Sequence, residues 1–402
     1  MSELNPTGRR DLVLRIAGPV SVLLLGYIVA VFWLIFFGSA TPYTFTDLDY
    51  YRSAVKVVVA QQPLYAALPY PPVAVLTIAW LGGFSVLQGN QLWTAMSLIL
   101  VLSLAVVLAK RSMQTGGPPE RLNRWELAVR TSVTGILLLI SMPMDSQLAN
   151  GQVTLLIISL AFLDVARVLP ERFQGVLVGL AGAIKLTPMI FVPYYLVTGQ
   201  RRQAAVATAS FAAATGVGFL MFPADSLFFW SHLGKSDQFG DPTRIDNLSI
   251  HSMLVRWVPA IGNSAIVYGL LGLALAGFAL WRARQHYQRG EWLSSALVVG
   301  AASVVMAPIA WPHYHVWVVL AGLWLLLAKR RLSMWLGLAL FFAYSLQFTT
   351  LVRQGAKYGN PVADVAVELL VIIPILIGVF GLPQATEHPP VEPATNEATQ
   401  VS

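Results

Sequence analysis

Long uncharged apolar runs alternate with short charged segments along most of the chain. The first run extends from Ile16 to Phe37 without a charged residue. It is long enough to cross a hydrocarbon core of roughly 30 Å and too long for the apolar core of a cleaved signal peptide. Comparable runs follow as far as residue 380. The pattern predicts an all-α polytopic membrane protein with about 12 transmembrane helices, at about 20 residues each.

The positions of basic residues orient the predicted spans. Three arginines within residues 9–15 precede the first run, so the positive-inside rule places the N-terminus in the cytoplasm. The apolar segment 71–90 is predicted not to span, because a span there would put the basic segment 110–124 outside. It is predicted instead to be a partly embedded helix of the outer leaflet, interrupted at Gly82 and Gly83. Both termini are then cytoplasmic.

These spans form one predicted transmembrane domain, residues 1–382. It has a first outer loop at 39–90 and a long outer loop at 223–263. The remaining segment, 383–402, is rich in Pro, Glu and Thr and is predicted to be a disordered cytoplasmic tail. The first loop is predicted to contain an interfacial helix. Its apolar positions at helical spacing are Leu48, Tyr51, Ala54, Val55 and Val58.

Composition excludes an ordinary soluble protein. Of the 402 residues, 56% are hydrophobic and 11% are charged, against about 25% charged in a soluble domain. The net charge of +7 follows from basic cytoplasmic loops, so no nucleic-acid partner is predicted. The chain has no cysteine and therefore neither disulfides nor a thiolate metal site. Membrane lipids are the expected surroundings.

Polar residues with candidate chemistry fall in the predicted outer loops. The convergence of carboxylate, imidazole, cationic and aromatic groups on one membrane face predicts a site there. Lys185 lies inside the apolar hairpin 174–198, and an intramembrane charge is a functional candidate. The other candidates are Asp47, Asp49, Tyr51, Tyr70, Asn150, Gln152, Arg244, Asn247, His251, His313, Tyr314, His315 and Arg353.

This set of side chains suits transfer of a sugar from a phosphate leaving group. A carboxylate accepts the proton of an attacking hydroxyl, and cations or imidazoles neutralise the departing phosphate. Asp47 and Asp49 spell D-x-D, but helical residues two apart point in different directions, so no shared metal is predicted. Each group also has a simpler interpretation: the aspartates as helix caps, Lys185 as a cation reaching the interface, and the histidines as part of an aromatic belt. Near an inner helix end, Asp164 is predicted to pair with Arg167.

Five segments, in order, resemble the family 87 glycosyltransferases, which are GT-C membrane enzymes of actinobacteria that use polyprenyl-phosphate sugars. The first segment, TDLDYYRSA followed by PLY and YPP, is similar to the family pattern D-L-x-x-Y, P-L-Y, Y-P-P. The resemblance covers nearly the whole chain except the tail. The other four segments are NGQVTLLIISL (150–160), GAIKLTPMIFVPYYL (182–196), NLSIHSMLVR (247–256) and APIAWPHYHVW (307–317).

The resemblance implies a GT-C fold and an inverting transfer, commonly of mannose in α-1,2 linkage, without nucleotide sugar, metal or other cofactor. The donor would be a polyprenyl-phosphate sugar and the acceptor a glycolipid or lipoglycan at the outer face of the plasma membrane. Asp47 matches the family's catalytic base, with Asp49 as the alternative, and Lys185 matches its K-L-T-P lysine, suited to the donor phosphate. His313 matches one histidine of the family pattern. The second is Tyr314 here, and His315 is its nearest substitute.

Two other functions stay open from the sequence. The same chemistry would accept a polyprenyl-phosphate-arabinose donor, which makes the protein an arabinofuranosyltransferase. A lipid or solute transporter would place charges at mid-membrane on broken, repeated helices. Only Lys185 approaches that pattern, and the other candidates cluster on one predicted face.

Overall fold

The described part of the chain is almost entirely helical. The structure is a computed structural model that describes residues 6–38, 45–64, 70–114, 123–233, 241–357 and 359–384, apart from the side chains of residues 6–9 and 347. Its α-helices are α1 (Pro6–Gly38), α2 (Thr46–Val59), α3 (Val86–Gln114), α4 (Arg124–Leu139), α5 (Met142–Asn150), α6 (Thr154–Val165), α7 (Val176–Ile184), α8 (Phe191–Val197), α9 (Arg201–Met221), α10 (Pro223–Ser231), α11 (Ile250–Trp257), α12 (Pro259–Gly262), α13 (Ala265–Gln288), α14 (Trp292–Met306), α15 (Val316–Leu326), α16 (Arg331–Ala343), α17 (Leu346–Lys357) and α18 (Pro361–Phe380).

Several of these helices identify a membrane protein. Among the described residues, α1, α3, α9, α13 and α18 are long and apolar enough to cross a bilayer, and five shorter apolar helices accompany them. The predicted total of about 12 spans is not confirmed, because some predicted spans are divided into shorter helices. The hairpin 174–198 consists of α7 and α8, separated at Lys185 by a break and a 3₁₀ turn.

The core of the bundle lies around α14 and α15. Both helices are uncharged and have almost every side chain buried. By contrast, α1 packs along α4 and leaves most of its apolar surface exposed, as expected for a helix that faces lipid. Apolar character on all sides therefore places α14 and α15 inside, in contact with α13, α16 and α18.

The first predicted loop contains the helix that its apolar spacing predicts. The predicted interfacial helix is present as α2, and it buries Leu48, Tyr51 and Ala54 on one face. The segment predicted not to span contains two short 3₁₀ helices, Pro72–Thr77 and Ala79–Gly83, instead of one continuous helix. This arrangement brings α2 against α5 and against both 3₁₀ helices.

Helices α6 and α7 connect two polar clusters in the interior. The end of α6 carries Asp164, which accepts hydrogen bonds from the backbone N–H groups of Gly175 (2.6 Å) and Val178 (2.9 Å) at the start of α7. The prediction that Asp164 pairs with Arg167 is wrong, because the unpaired N–H groups of a helix start need an acceptor. The guanidinium of Arg167 lies 4.9 Å from the Trp292 ring instead.

Some predictions concern residues outside the described ranges. The predicted tail is one of them from residue 385 onward. Residues 39–44 and 65–69 of the first predicted loop and residues 234–240 of the long one also lie outside.

Candidate active site

The turn 150–152 is packed directly against α2. Asn150 accepts a hydrogen bond from the Thr46 hydroxyl at 3.1 Å. Gly151 ends α5 with φ of 65°, and a Cβ there would meet the Leu48 Cβ at 2.7 Å. Glycine is therefore favoured at this position for two reasons: the left-handed backbone conformation and the close approach of α2. The amide of Gln152 then reaches Asp47.

Asp47 is half-buried on the first turn of α2. Its Oδ2 accepts a hydrogen bond from Gln152 Nε2, and no other hydrogen bond to its carboxylate is found among the described residues. Burial raises the pKa of the Asp47 carboxyl above its ordinary value, and the hydrogen bond from Gln152 partly opposes this shift. A carboxylate with a raised pKa and one unengaged oxygen is suited to general-base catalysis.

Two tyrosines extend the contact from Asp47 into the interior. The Tyr51 hydroxyl lies 2.9 Å from Gln152 Oε1 and 3.4 Å from the Tyr70 hydroxyl. The Lys185 ammonium lies 5.5 Å from the centre of the Tyr70 ring and 3.5 Å from the centre of the Tyr314 ring. Cation–π contacts of this kind stabilise an ammonium without neutralising it.

Lys185 stands at the break between α7 and α8, where its backbone is extended. Its Nζ is buried and has no hydrogen-bond partner among the described residues. It lines a cavity of about 30 Å³ with the hydroxyl-bearing residues Thr154, Thr187 and Ser303. Such a volume holds about one or two water molecules, so the cavity does not hold a whole sugar phosphate as it stands. A buried cation without a counter-ion is costly unless a ligand supplies one.

His313 completes the arrangement from the start of the segment before α15. Its Nδ1 lies 3.4 Å from the Ser146 hydroxyl, and its backbone oxygen accepts a hydrogen bond from Gln147 at 2.9 Å. Its ring contacts the Tyr314 ring edge-to-face at 4.7 Å, and Nε2 is buried without a hydrogen-bond partner in the described part of the chain. The set is called the Asp47–Lys185 cluster below and consists of Asp47, Tyr51, Tyr70, Ser146, Gln152, Lys185, His313 and Tyr314.

Asp49, the alternative base, points away from this cluster. Its carboxylate pairs with the Arg52 guanidinium at 3.1 Å, and its side chain is 52% exposed. Arg52 is itself fixed by Asn90 at 2.8 Å. Asp47 and Asp49 therefore have separate partners, as helical positions two residues apart require.

Arg244 and Arg353 form a separate group of charges around Asp246. Arg244 makes two hydrogen bonds to the Asp246 carboxylate, at 2.8 and 2.6 Å, and Arg353 lies 4.0 Å from it. Burial raises the pKa of Asp246, but the hydrogen bonds and charge of Arg244 outweigh it and keep this pKa below its ordinary value. The Arg244 guanidinium lies 5.3 Å from the ring of Trp311, two residues before His313. The group thus adjoins the cluster without a described contact to Lys185.

Three further candidates hold the segment that carries His313. Asn247 accepts a hydrogen bond from the Ala310 backbone N–H at 3.0 Å, and its buried Nδ2 has no partner among the described residues. His251 Nδ1 lies 3.4 Å from the Pro308 carbonyl oxygen. His315 Nδ1 lies 3.0 Å from the Tyr344 hydroxyl, and its buried Nε2 has no hydrogen-bond partner among the described residues. These contacts indicate a supporting role.

Sequence reasoning missed Ser146 and the cavity hydroxyls. Ser146 lies one turn before Asn150 on α5 and also accepts a hydrogen bond from it through its backbone oxygen, at 2.9 Å. The spacing of four residues from a motif position was the available signal. Ser303 had none, because it lies in an apolar helix far along the chain from Lys185.

The sequence also matches the model of a known protein family. The model of glycosyltransferase family 87 matches residues 68–308, which is more than half of the chain. The chain belongs to glycosyltransferase family 87. No solved structure matches it significantly.

Curated relatives of this family 87 protein come from mycobacteria. A polyprenol-phosphate-mannose-dependent α-(1-2)-phosphatidylinositol mannoside mannosyltransferase of Mycobacterium tuberculosis is 28% identical over 321 residues, covering 74% of this chain and 73% of the relative. The enzyme of the same name in Mycolicibacterium smegmatis is 27% identical, covering 72% and 71%. A phosphatidylinositol pentamannoside mannosyltransferase of the latter organism is 34% identical over 192 residues, covering 46% and 45%.

Membership in family 87 identifies the protein as a membrane glycosyltransferase. Among the described residues, the cluster holds a carboxylate with one oxygen that accepts no hydrogen bond and an ammonium that has no hydrogen-bond partner.

Proposed function

We propose that the protein transfers mannose from a polyprenyl-phosphate-mannose donor to a glycolipid or lipoglycan in α-1,2 linkage. The observation that carries this proposal is the buried Lys185 ammonium, which lacks a hydrogen-bond partner among the described residues and is joined to Asp47 through Tyr70, Tyr51 and Gln152. The names of the relatives supply the donor, the linkage and a phosphatidylinositol mannoside as acceptor class.

The donor phosphate binds at Lys185. As the glycosidic C–O bond breaks, negative charge develops on the phosphate oxygens, and a desolvated ammonium stabilises that charge strongly. The hydroxyls of Thr154, Thr187 and Ser303 line the same cavity and are available as further donors. The aromatic rings of Tyr70 and Tyr314 hold the ammonium in place in the meantime.

The acceptor hydroxyl binds at Asp47. Its proton moves to the free carboxylate oxygen as its oxygen forms the new bond to the sugar carbon, and the polyprenyl phosphate leaves on the opposite side. This single displacement inverts the configuration at that carbon. Asp49 is less suited to the task because its carboxylate is paired with Arg52.

His313 and one arginine assist the leaving group. His313 Nε2 is buried without a hydrogen-bond partner among the described residues, and the His313 ring contacts the Tyr314 ring over which the Lys185 ammonium lies, so Nε2 is available to a phosphate oxygen. Of the two arginines, Arg353 is the better candidate. Arg244 already donates two hydrogen bonds to the Asp246 carboxylate, whereas Arg353 lies 4.0 Å from that carboxylate and forms no hydrogen bond with it. Tyr314 stands in place of the family's second histidine and serves the ammonium of Lys185 instead.

The enzyme is a multi-pass protein of the plasma membrane with the GT-C fold. The positive-inside distribution supports about 12 spans, with both termini in the cytoplasm and the Asp47–Lys185 cluster at the outer face. A site at the interface suits a lipid-linked phosphate, whose head group lies at that depth.

The direct test mixes the purified protein with polyprenyl-phosphate mannose, radiolabelled in the sugar, and phosphatidylinositol mannoside in detergent or vesicles. We expect labelled glycolipid and an equal amount of free polyprenyl phosphate, because one is formed for each molecule of the other. Loss of donor without labelled glycolipid would contradict the assigned acceptor.

Two further arms separate the alternatives. Polyprenyl-phosphate arabinose in place of the mannose donor should give no product, and an equal rate with it would contradict the mannose assignment. A transporter would move donor across the vesicle membrane without releasing polyprenyl phosphate, and that outcome would contradict the transferase proposal.

A further inference from the structure

We propose that Gln152 is a positioning residue, which holds the Asp47 carboxylate by one oxygen and leaves the other free for the acceptor hydroxyl. This inference rests on the proposed function, in which Asp47 is the base. It assigns Gln152 a role at the acceptor end of the cluster rather than at the donor phosphate. The argument depends on the direction of the hydrogen bonds, the packing of the turn and the state of the carboxylate.

The direction of the hydrogen bonds follows from the charge of Asp47. An ionised carboxylate only accepts, so the Gln152 NH₂ group faces it and the Gln152 Oε1 faces Tyr51. The Tyr51 hydroxyl therefore donates to Oε1, at 2.9 Å, and its oxygen is left to accept from Tyr70, at 3.4 Å. Burial raises the pKa of Tyr70 to about 12 and that of Tyr51 as well, so both hydroxyls stay protonated. The amide of Gln152 has one orientation only.

The backbone of Gln152 is held as firmly as its side chain. Its N–H donates to the Gln147 carbonyl oxygen at 3.0 Å, and Gly151 before it packs against Leu48. The residue is 6% exposed. Because the turn touches α2 on both sides of Asp47, through Thr46 and Leu48, a shift of the turn would move the carboxylate with it.

Gln152 also sets the availability of Asp47 for proton transfer. A hydrogen bond to the ionised form favours that form and opposes the effect of burial. The donor occupies Oδ2, so the oxygen that accepts the proton is Oδ1, for which no donor is found among the described residues. Without Gln152 the carboxylate would lose both its fixed direction and this favourable contact.

The test measures kcat and KM against pH for Gln152→Leu, which keeps the approximate volume and removes the amide. We expect the acid limb of the kcat profile to move to higher pH by about one unit, because the carboxylate loses a donor that favours its ionised form. We also expect kcat to fall at least tenfold with the KM for the donor unchanged. Gln62→Leu, an exposed glutamine beyond the end of α2, is the matched control and should keep the wild-type profile.

Tyr51→Phe is the second variant, for the case in which Gln152→Leu does not fold. It removes the hydroxyl that orients the amide while keeping the ring, so we expect a smaller shift of the acid limb in the same direction. A wild-type acid limb in Gln152→Leu, or in Tyr51→Phe if only that variant folds, would overturn the inference. So would a lowered kcat with no shift, since a merely structural role would produce that result.

Asp47→Asn separates the two proposals. If Asp47→Asn keeps full activity, the base assignment and with it the proposed function in this form are wrong. If Asp47→Asn is inactive and Gln152→Leu keeps the wild-type profile, the base assignment stands and only the positioning role of Gln152 fails.

Discussion

Two buried polar clusters lie at opposite ends of α6 and α7, and they differ in how far their hydrogen bonds are satisfied. At one end Asp164 accepts from two backbone N–H groups and from the Tyr195 hydroxyl, and Arg167 donates to the Tyr287 hydroxyl at 3.0 Å. No atom of these side chains is among the buried groups without a partner in the described residues. At the other end Lys185 Nζ and His313 Nε2 are both buried without one.

The difference separates a structural cluster from a binding one. Desolvating a polar or charged group is costly, so a cluster that serves only folding is expected to satisfy its own members. The Asp164 cluster does so by capping α7 with a carboxylate. The Asp47–Lys185 cluster instead contains donors and an acceptor that form no hydrogen bonds among the described residues. A bound phosphate could accept from the donors, and an acceptor hydroxyl could donate to the carboxylate.

The largest expected effect is that of Asp47→Asn. The amide cannot accept the acceptor's proton, so we expect mannose transfer to fall by about 10²–10⁴-fold. Folding should be unchanged, because Asn still accepts from Gln152. The assay is the release of polyprenyl phosphate, with Asp241→Asn, an exposed aspartate, as the control. Residual activity within tenfold of the wild type would contradict the assignment.

Lys185→Met should have the next largest effect. Removing the cation should lower transfer by about 10²–10³-fold, the range found for lost electrostatic stabilisation. The melting temperature should stay the same or rise, because a buried ammonium without a partner among the described residues is replaced by an apolar side chain of similar length. Lys56→Met makes the same change at an exposed lysine of α2 and should alter neither quantity. A large drop in melting temperature for Lys185→Met would show that this lysine is structural.

Asp164→Ala should lower stability and leave transfer unchanged, which is the reverse of the effect expected for Lys185→Met. It leaves the N–H groups of Gly175 and Val178 buried without an acceptor, so we expect a loss of about 2–4 kcal/mol in the free energy of unfolding. Activity for each folded molecule should be close to that of the wild type. The control is Glu171→Ala, an exposed carboxylate at the same end. If Asp164→Ala kept normal stability but lost transfer, the Asp164 cluster would be the functional one, which would contradict the assignment.

The smallest expected effect is a displacement of the acid limb of the pH profile of the wild-type enzyme. Burial raises the pKa of Asp47 in the free enzyme, and the base acts only when ionised. The acid limb of kcat/KM should therefore lie above the ordinary range of an aspartate, with activity lost as the pH falls through it. An acid limb at or below the ordinary aspartate range would contradict the role of Asp47 or the burial of the site.

Periodicity predicted the helical membrane fold and the short helix α2 of the first loop, because apolar runs and their spacing are properties of local sequence, as in α1 and α2. That segment 71–90 does not span the membrane stays a prediction. The predicted hairpin 174–198 is likewise present as α7 and α8, with its break at Lys185. Periodicity and charge did not predict the cavity beside Lys185, because side chains from distant segments, such as Ser303, line it.

The sequence predicted which residues lie at the candidate site, but it did not predict which of their side chains contact one another. Asp47, Lys185 and His313 were candidates both from the polar residues of the predicted outer loops and from the resemblance. The structure joins Asp47 to Lys185 through hydrogen bonds and ring contacts, and His313 contacts the ring over which the Lys185 ammonium lies. The pairing of Asp49 with Arg52 and of Arg244 with Asp246 was not predicted, because tertiary geometry decides which oppositely charged neighbours meet. Asp164 was misassigned for the same reason: its partners are backbone groups, which a sequence motif does not display.

The most direct test of the difference between the clusters is the binding of polyprenyl monophosphate, the leaving product, to wild type, Lys185→Met and Asp47→Asn, measured by calorimetry in one detergent. We expect binding to weaken at least tenfold in Lys185→Met and to stay at the wild-type affinity in Asp47→Asn, because the phosphate uses the free ammonium and not the carboxylate. Equal affinity of Lys185→Met and wild type would contradict the account.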